Sequence, residues 1–339
     1  MSSYALVDSQ QLDSDLSDLA SAIRLKESTI GSMSFPEGFV SKIEEMVTYN
    51  DIFTRRLSEI SLDNVTTIRS CAFVGYSTLV NVSFPHCTSI GMSAFSGCTA
   101  LTTASFPECQ TIEQRLFYNC TALTTAYFPQ CTGIYFDAFS GCTALTTASF
   151  SQCTTLGQRA FGGCTALTTA SFPLCTSIEE RMFVGCEALT TVYFPECVRI
   201  GRQAFVGCDS LSNLYIPNCS SMESLAFANC GIQTITLSLC SIIASQAFTG
   251  CIKLTTASFP NCSRIYSSAF KNCENLVSLY LMNTARVVAL DSKVFDGTPI
   301  GGYSDVAGRY GSVFVPSALY SSYIKAKNWK TISDRIVGI

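Results

Sequence analysis

The residues of this sequence with the most chemical potential are its 19 cysteines and its single histidine, His86. A zinc site needs a close pair such as CxxC or HxxxH, and hydrolysis needs a positioned base or nucleophile. The cysteines instead recur singly, 11 residues apart, as at Cys87, Cys98 and Cys109. His86 lies at a variable loop position, and no paired inward carboxylates occur in the repeats. We therefore predict no metal site, no cofactor and no enzymatic activity.

The cysteines fall into two columns of nine, with Cys71 as an extra residue. The first column is Cys87, Cys109, Cys131, Cys153, Cys175, Cys197, Cys219, Cys240 and Cys262. The second is Cys98, Cys120, Cys142, Cys164, Cys186, Cys208, Cys230, Cys251 and Cys273. Stacked turns would place equivalent cysteines close enough to bridge, so disulfides stay possible on distance alone. Nine is odd and neighbouring side chains point in parallel, so we expect buried free thiols and no disulfides.

These columns belong to a 22-residue repeat, which is traced most clearly by phenylalanine. It occurs at positions 73, 95, 117, 139, 161, 183, 205 and 227, then at 248 and 270 after one single-residue deletion. One turn reads Leu101-Thr-Thr-Ala-Ser-Phe106-Pro-Glu-Cys109-Gln-Thr-Ile112 and continues through three variable residues to Leu116-Phe117. The apolar positions of each turn therefore form one inward stripe.

Each unit divides into a strand and a tighter turn. The pattern Leu101-x-x-Ala104-x-Phe106 predicts a short strand with Thr103 and Ser105 facing outward. Before each second-column cysteine stands Gly or Asn, the residues that most readily adopt positive φ. We therefore expect the preceding Ala-Phe pair to form one helical or 3₁₀ turn.

A single unit cannot bury its apolar stripe, but stacked units can. The pattern is that of a leucine-rich repeat, and the runs Ile90–Leu101 and Ile134–Leu145 resemble the BspA-like leucine-rich repeats of bacterial and phage proteins. The resemblance covers about residues 57–281. It implies an α/β repeat fold, a leucine-rich-repeat solenoid of about ten 22-residue turns with a helical N-terminal module and a mixed C-terminal cap.

The two ends of the chain differ from the repeat, so we divide it at residues 1–50, 51–281 and 282–339. Residues 19–39 resemble a small module of tail and other structural proteins of phages of Gram-positive bacteria, which implies attachment to a particle. Two amphipathic helices there are equally expected to cap the first repeat. The end, from Val315 to Trp329, is similar to the C-terminal cap that often closes such arrays.

Composition narrows the function classes. Charged residues make up only 14% of the chain and the net charge is −4, so no basic stripe predicts nucleic-acid binding. No run of 18 apolar residues predicts a membrane span, and the N-terminus shows no secretory signal. The work of the protein is expected to be non-covalent binding through a repeated surface.

Two surfaces are candidates. Outward strand residues offer hydroxyls and tyrosines that suit carbohydrate or protein recognition, although Thr and Tyr are also simply good strand residues. The candidate residues on this face are Thr125, Tyr127, Thr191, Tyr193, Asn213, Tyr215, Ser278 and Tyr280. The three variable residues of each turn are expected to face solvent, where their differences mark either contacts or drift. The candidates there are Arg115, Tyr135, Phe136, Arg159, Arg181 and Arg202.

The resemblances imply two settings. The first is a phage virion, tail- or capsid-associated, with residues 1–50 contacting other virion proteins and the solenoid contacting a host surface glycan or protein. The alternative is a BspA-like adhesin, on the bacterial cell surface or secreted, that binds host protein or glycan. A homo-oligomer such as a trimeric fibre is compatible with the first setting, although no heptad run predicts it.

Overall fold

The computed structural model describes residues 58–62, 65–302 and 310–339. The predicted helical module at residues 1–50 lies outside these residues. The division at residues 50 and 281 stays a prediction.

Each turn of the solenoid contains one long strand, and the long strands stack in parallel with equivalent residues in register, as for Ala104 and Ala126. They are β1 (Glu59–Ser61), β3 (Asn81–Ser83), β5 (Thr103–Ser105), β7 (Thr125–Tyr127), β9 (Thr147–Ser149), β11 (Thr169–Ser171), β13 (Thr191–Tyr193), β15 (Asn213–Tyr215), β17 (Thr234–Thr236), β19 (Thr256–Ser258), β21 (Ser278–Tyr280), β23 (Ser312–Val315) and the closing β24 (Ile336–Gly338). Side chains alternate along a strand, so one residue in two enters the core.

A second set of strands, each two residues long, follows the first around the turn. They are β2 (Thr67–Ile68), β4 (Ser89–Ile90), β6 (Thr111–Ile112), β8 (Gly133–Ile134), β10 (Thr155–Leu156), β12 (Ser177–Ile178), β14 (Arg199–Ile200), β16 (Ser221–Met222), β18 (Ile242–Ile243), β20 (Arg264–Ile265) and β22 (Ala289–Leu290). The second residue of nearly every one is buried, which matches the predicted inward Ile column.

The segment around the Ala-Phe pair is not a helix. The backbone N–H of Phe95 donates to the carbonyl of Leu116 in the next turn at 3.1 Å, and that of Gly97 donates to Tyr118 at 2.7 Å. Left-handed residues alternate with these bonds, at Ser93 (φ 57°) and Gly97 (φ 73°). The segment therefore forms a third ladder between turns. Single i→i−3 turn bonds, such as that from the Ser96 N–H to the Ser93 carbonyl at 3.0 Å, alternate with the ladder bonds, and no continuous helix forms.

The predicted fold class needs two corrections. The solenoid has about twelve turns rather than about ten, and it is nearly free of helix. Among the described residues the only α-helix is α1 (Tyr320–Tyr323), flanked by 3₁₀ segments at Ser317–Leu319 and Trp329–Arg335. The α/β class was predicted because the Ala-Phe pair of each turn was assigned to a helical turn. In the structure the backbone of this segment forms hydrogen bonds to the same segment of the adjacent turns.

The predicted number of turns was too low because the last turns depart from the 22-residue spacing. Phe295 follows Phe270 by 25 residues rather than 22. It nevertheless stacks on Phe270 with ring centroids 6.1 Å apart, and Lys293 and Gly297 on either side are left-handed, as in the other turns. Insertions upstream of Phe295 therefore hid a turn that keeps the same geometry.

The core is one continuous column of apolar side chains from Ile60 to Ile336. Within it the repeat phenylalanines stack on one another, with centroid distances of 5.1 to 6.1 Å. At the C-terminal end, the Tyr323 hydroxyl accepts a hydrogen bond from the Val288 N–H at 3.1 Å, and the Trp329 indole donates to the Val288 carbonyl at 2.7 Å. Both rings are buried, so they close the core where no further turn is stacked.

Candidate functional site

The first and third residues of the long strands point away from the core and form one continuous surface, which we call the strand face. From β3 to β21 it carries no Asp, Glu, Lys or Arg. Its members are Asn81, Ser83, Thr103, Ser105, Thr125, Tyr127, Thr147, Ser149, Thr169, Ser171, Thr191, Tyr193, Asn213, Tyr215, Thr234, Thr236, Thr256, Ser258, Ser278 and Tyr280. The surface therefore offers hydroxyls, two amides and four tyrosine rings, with no charge.

Four of the predicted residues come together at the middle of this face. Strands β13 and β15 pair so that Thr191 lies beside Asn213 and Tyr193 beside Tyr215. The two rings stack with centroids 5.2 Å apart and planes 9° from parallel. Tyr193 is 43% exposed and Tyr215 is 52% exposed. The pair is thus a rigid aromatic surface that remains open to a partner.

A second ring pair lies nearer the C-terminal end. Ser278 and Tyr280 of β21 lie beside Ser312 and Phe314 of β23. The rings of Tyr280 and Phe314 stack at 4.6 Å, and both are half-buried. Phe314 is absent from the sequence-predicted set because its turn lies beyond the regular spacing. The alternation in Ser312–Val315 was the signal that could have found it.

The remaining predicted strand-face residues, Thr125 and Tyr127, stand apart from these pairs. They lie on β7, three turns before β13, with small side chains on either side in the Tyr127 column, at Ser105 and Ser149. Tyr127 is 54% exposed. The structure therefore brings the eight candidates onto one face but into three groups.

The long-strand ladder is interrupted at two places, which we call the sheet joints. The first joint lies between β7 and β9, and the second between β15 and β17. The central residues of the strands that precede the joints, Ala126 and Leu214, are half-buried, whereas those of the other long strands from β1 to β21 are buried. Each joint directly follows a strand that ends in an exposed tyrosine, Tyr127 or Tyr215. The joints thus expose apolar side chains and backbone at the places where the rings stand.

The second joint coincides with a departure from the repeat spacing. The turn that crosses it is one residue short, because Cys251 follows Cys230 by 21 residues rather than 22. Gly231 lies so close to the preceding turn that a Cβ added there would stand 1.9 Å from the Asp209 carbonyl oxygen. The turn that crosses the first joint has the regular 22 residues, from Phe117 to Phe139, so a shortened turn accompanies the second joint but is not needed for a joint.

Many threonine hydroxyls beside the strand face serve the fold itself. The hydroxyls of Thr124, Thr168 and Thr190 each donate to the carbonyl one turn earlier, at 3.0, 2.9 and 3.0 Å. These residues immediately precede a long strand. Their abundance is therefore explained by inter-turn hydrogen bonding, and only the outward residues of the strands are left as candidates for contact.

The other candidate surface is the row of three variable residues per turn, which we call the triplet ridge. At its N-terminal end, the Asp137 carboxylate lies between Arg115, 3.5 Å away, and Arg159, 3.7 Å away. The Asp137 side chain is 4% exposed, and both arginines are about half exposed. Variable positions were expected to face solvent, and for Asp137 this is wrong because its short side chain packs between the arginines at the equivalent positions of the two adjacent turns.

Most of the other charged side chains of the ridge also have partners. The Arg181 guanidinium donates to the Gln203 side-chain carbonyl at 2.6 Å. Arg202 is exposed, and its backbone N–H donates to the Glu223 carboxylate at 3.1 Å. Arg199 joins Glu179 and Glu223, with contacts of 2.9 and 2.8 Å. The side chains of four arginines are thus engaged within the ridge, namely Arg115, Arg159, Arg181 and Arg199, whereas the contact of Arg202 is made by its backbone.

Tyr135 and Phe136 are exposed on the ridge, as predicted, but their backbone has a packing role. A Cβ on Gly157 of the next turn would stand 2.4 Å from the backbone of both residues. The close approach of the two turns therefore requires glycine at position 157, so this residue does not reflect drift at an unconstrained position. Arg115 lies over the Phe136 ring, with 5.6 Å to its centroid. The ridge positions remain candidate contacts, but several of them are explained by packing.

The cysteines are structural in both columns. All 19 are free, and all but Cys71 are buried. The Cys120 thiol donates to the Phe95 carbonyl of the previous turn at 3.0 Å, and the Cys109 thiol donates to the Thr111 carbonyl at 3.3 Å. Burial raises the pKa of Cys164 to about 12. These thiols are protonated hydrogen-bond donors of the core, which confirms the predicted burial.

Within residues 58–62, 65–302 and 310–339, no group of three or more His, Cys, Asp or Glu side chains is placed to hold a metal ion. Nor does this part of the chain contain a helix with the length and apolar character needed to cross a membrane. The most distinctive surface feature is therefore the uncharged strand face with its tyrosines and joints.

Comparison with known proteins agrees with this architecture. The family model for the BspA type leucine-rich repeat region matches residues 41–168 and 176–300, in six copies. A leucine-rich repeat protein from Bacteroides ovatus is similar in fold, with 16% identity and a TM-score of 0.52, over 83% of this chain and 92% of that one. No curated protein sequence matches.

Two other solved structures resemble parts of the chain more loosely. The leucine-rich repeat protein of T. pallidum shares 26% identity over 46% of this chain and 78% of that one, with a TM-score of 0.44. The pneumococcal vaccine antigen PcpA shares 13% identity over 83% of this chain and 77% of that one, with a TM-score of 0.47.

Proposed function

The chain belongs to the BspA-type leucine-rich repeat family, and from that premise we propose that it is a non-enzymatic binding protein whose strand face contacts the ligand. The observation that carries the proposal is the stacked Tyr193–Tyr215 pair on an uncharged face. Exposed rings that are held rigidly lose little entropy on binding, and hydroxyls around them can exchange water for ligand.

The triplet ridge supports the proposal less well. Three of its candidate arginines, Arg115, Arg159 and Arg181, are engaged with Asp137, Gln203 and Glu180. A ligand that used them would first have to displace those contacts. The strand face offers rings whose removal from water is favourable and whose binding breaks no ion pair.

The proposal is tested with the labelled full chain on panels of intact bacterial and animal cells, measured by flow cytometry. Ser171→Arg places a long charged side chain beside Tyr193 on the strand face, and Arg202→Ser changes the ridge instead. We expect saturable binding that Ser171→Arg abolishes and Arg202→Ser retains. Equal binding by both variants, or no saturable binding to any cell type, would refute a strand-face binding function.

For the setting we propose, first, a phage virion, tail- or capsid-associated, in which residues 1–50 contact other virion proteins. Its support is the resemblance of residues 19–39 to phage structural proteins. The competing proposal is a bacterial cell-surface or secreted adhesin, and its support is the BspA-type repeat itself. Immunogold labelling separates them, because one predicts label on purified particles and the other predicts label on intact producing cells.

A further inference from the structure

The second joint, between β15 and β17, combines a ring, an apolar side chain and unpaired polar groups at one place on the strand face. We propose that this joint binds the ring of a neutral hexopyranose sugar, packed against the open face of Tyr215. The inference rests on the proposed function and names its ligand class.

The Tyr215 ring has one covered face and one open face. Tyr193 covers it from one side at 5.2 Å. On the other side, the third residue of the next strand is Thr236, which is too small to cover a phenol ring. A pyranose ring has an apolar C–H face and a polar rim, so it can stack on an aromatic face while its hydroxyls stay hydrogen-bonded.

Polar groups for that rim surround the open face. Asn213 on β15 and Thr234 and Thr236 on β17 are exposed on the two sides of the joint. The two strands are not hydrogen-bonded to each other, so the backbone groups that face across the joint lack the ladder partners that they have elsewhere on the strand face. Leu214, the central residue of β15, packs against the core but is only half-buried, so part of an apolar side chain is exposed at the joint.

The absence of charge selects among ligand classes. No Arg or Lys on the strand face between β3 and β21 could neutralise a uronate or sulfate, and no carboxylate there could pair with a basic peptide. When a ligand binds to such a surface, the free-energy cost of desolvation is lowest if the ligand has many hydroxyls and no net charge. Neutral hexopyranose chains meet this description.

The first joint repeats the arrangement in a smaller form. Tyr127 is flanked by Ser105 and Ser149, so both of its faces are open, but the apolar residue beneath is Ala126 instead of Leu214. No second ring supports Tyr127. We therefore assign this joint a weaker version of the same site, and a neutral oligosaccharide would engage the second joint first.

The test is isothermal titration of the full chain with cellohexaose and maltohexaose, and with a sulfated heparin hexasaccharide as the charged comparison. At least one neutral hexasaccharide should bind saturably and the heparin fragment should not. Tyr215→Ala should weaken neutral binding about tenfold. Tyr215→Phe keeps the ring and should stay within about threefold of wild type. The matched control is Tyr135→Ala, at an exposed residue of the triplet ridge, and it should leave the affinity for the neutral oligosaccharide unchanged.

Several results would overturn the glycan assignment: no heat of binding with either neutral oligosaccharide up to its solubility limit, tighter binding of heparin, or equal losses for Tyr215→Ala and Tyr135→Ala. Cells separate this failure from failure of the binding function. Periodate destroys sugar rings and protease destroys surface proteins. If the labelled chain binds periodate-treated cells but not protease-treated cells, and Ser171→Arg still abolishes that binding, the ligand is a protein. This result refutes the sugar assignment and leaves the proposed strand-face binding function intact.

Discussion

Tyr193 and Tyr215 stack nearly parallel on adjacent strands, with 5.2 Å between their ring centroids, while about half of each side chain remains exposed. Cross-strand aromatic pairs of this kind couple energetically beyond the area that they bury. In a double-mutant cycle of Tyr193→Ala and Tyr215→Ala, we predict a coupling of about 0.5–1 kcal/mol in the free energy of unfolding by urea. Tyr127→Ala combined with Tyr193→Ala should show none, because three turns separate those rings. Equal coupling in both cycles would contradict the stacking.

The buried Asp137 carboxylate depends on two arginines at once. Either Arg115 or Arg159 can still face it when the other is removed, so each single alanine variant should cost about 1 kcal/mol or less. The double variant Arg115→Ala/Arg159→Ala should lose about 2–3 kcal/mol, because a buried charge then has no partner. Adding Asp137→Asn should recover part of that loss in urea unfolding. If Asp137→Asn restores no stability to the double variant, the unpaired charge of Asp137 is not the cause of the loss.

The left-handed residue before each Ala-Phe pair stores unfavourable backbone energy when it is not glycine. Ser268, with φ 58°, is one of these residues, and its neighbour Ser267 is not. We predict that Ser268→Gly raises the free energy of unfolding by about 0.5–1 kcal/mol, and that Ser267→Gly lowers it by a similar amount. Thermal melting of the two variants side by side measures the difference. A loss of stability in both would refute left-handed strain at position 268.

This column also shows where sequence reasoning stops. The Gly or Asn column was predicted to adopt positive φ, and the structure confirms it at Gly97 and Asn119. The second left-handed column carries Cys, Ser, Arg, Asp, Gln, Leu and Lys, a mixture that gives no such signal. Those residues are forced into the conformation by bonds to the neighbouring turn, such as Arg115 N–H to the Phe136 carbonyl at 2.9 Å. Contacts between turns, not local propensity, decide the backbone there.

The candidate site divides in the same way. Periodicity alone placed Tyr193 and Tyr215 on one outward surface, because register in a stacked repeat follows from equal spacing. It did not place the joints, because the spacing across the first joint is the same 22 residues as in the hydrogen-bonded turns, and the missing bonds are visible only in the backbone of the folded chain. Periodicity also predicted wrongly that Asp137 faces solvent, because the burial of a variable residue depends on the residues at the same position in the adjacent turns.

The buried thiols predict an alkaline limit of stability. In the unfolded chain a thiol loses its proton near its ordinary pKa of 9.0, whereas burial raises the pKa of Cys164 and Cys273 to about 12. Their contribution to stability is therefore complete below pH 9 and is lost as the pH rises from 9 towards 12, because only the unfolded state releases the protons. The urea midpoint should stay nearly constant from pH 7 to 8 and fall steeply above 9.

Thiolate absorbance at 240 nm checks the same point directly. At pH 10 the native protein should show little thiolate and the urea-unfolded protein should show much more. With a thiol reagent at pH 8, Cys71 should react quickly, because the other 18 cysteines are buried. All 19 should react after unfolding. Fewer than about fifteen reactive thiols in the unfolded protein would mean that disulfides join the columns.

The central claim is that ligand contacts the strand face and not the triplet ridge, and photo-crosslinking measures this most directly. The photoreactive residue p-benzoyl-phenylalanine is placed either at Ser171 on the strand face or at Arg202 on the ridge, and each protein is irradiated on cells that bind the wild-type chain. We predict crosslinked product from position 171 and only background from position 202. Product that forms mainly from position 202 would contradict the account.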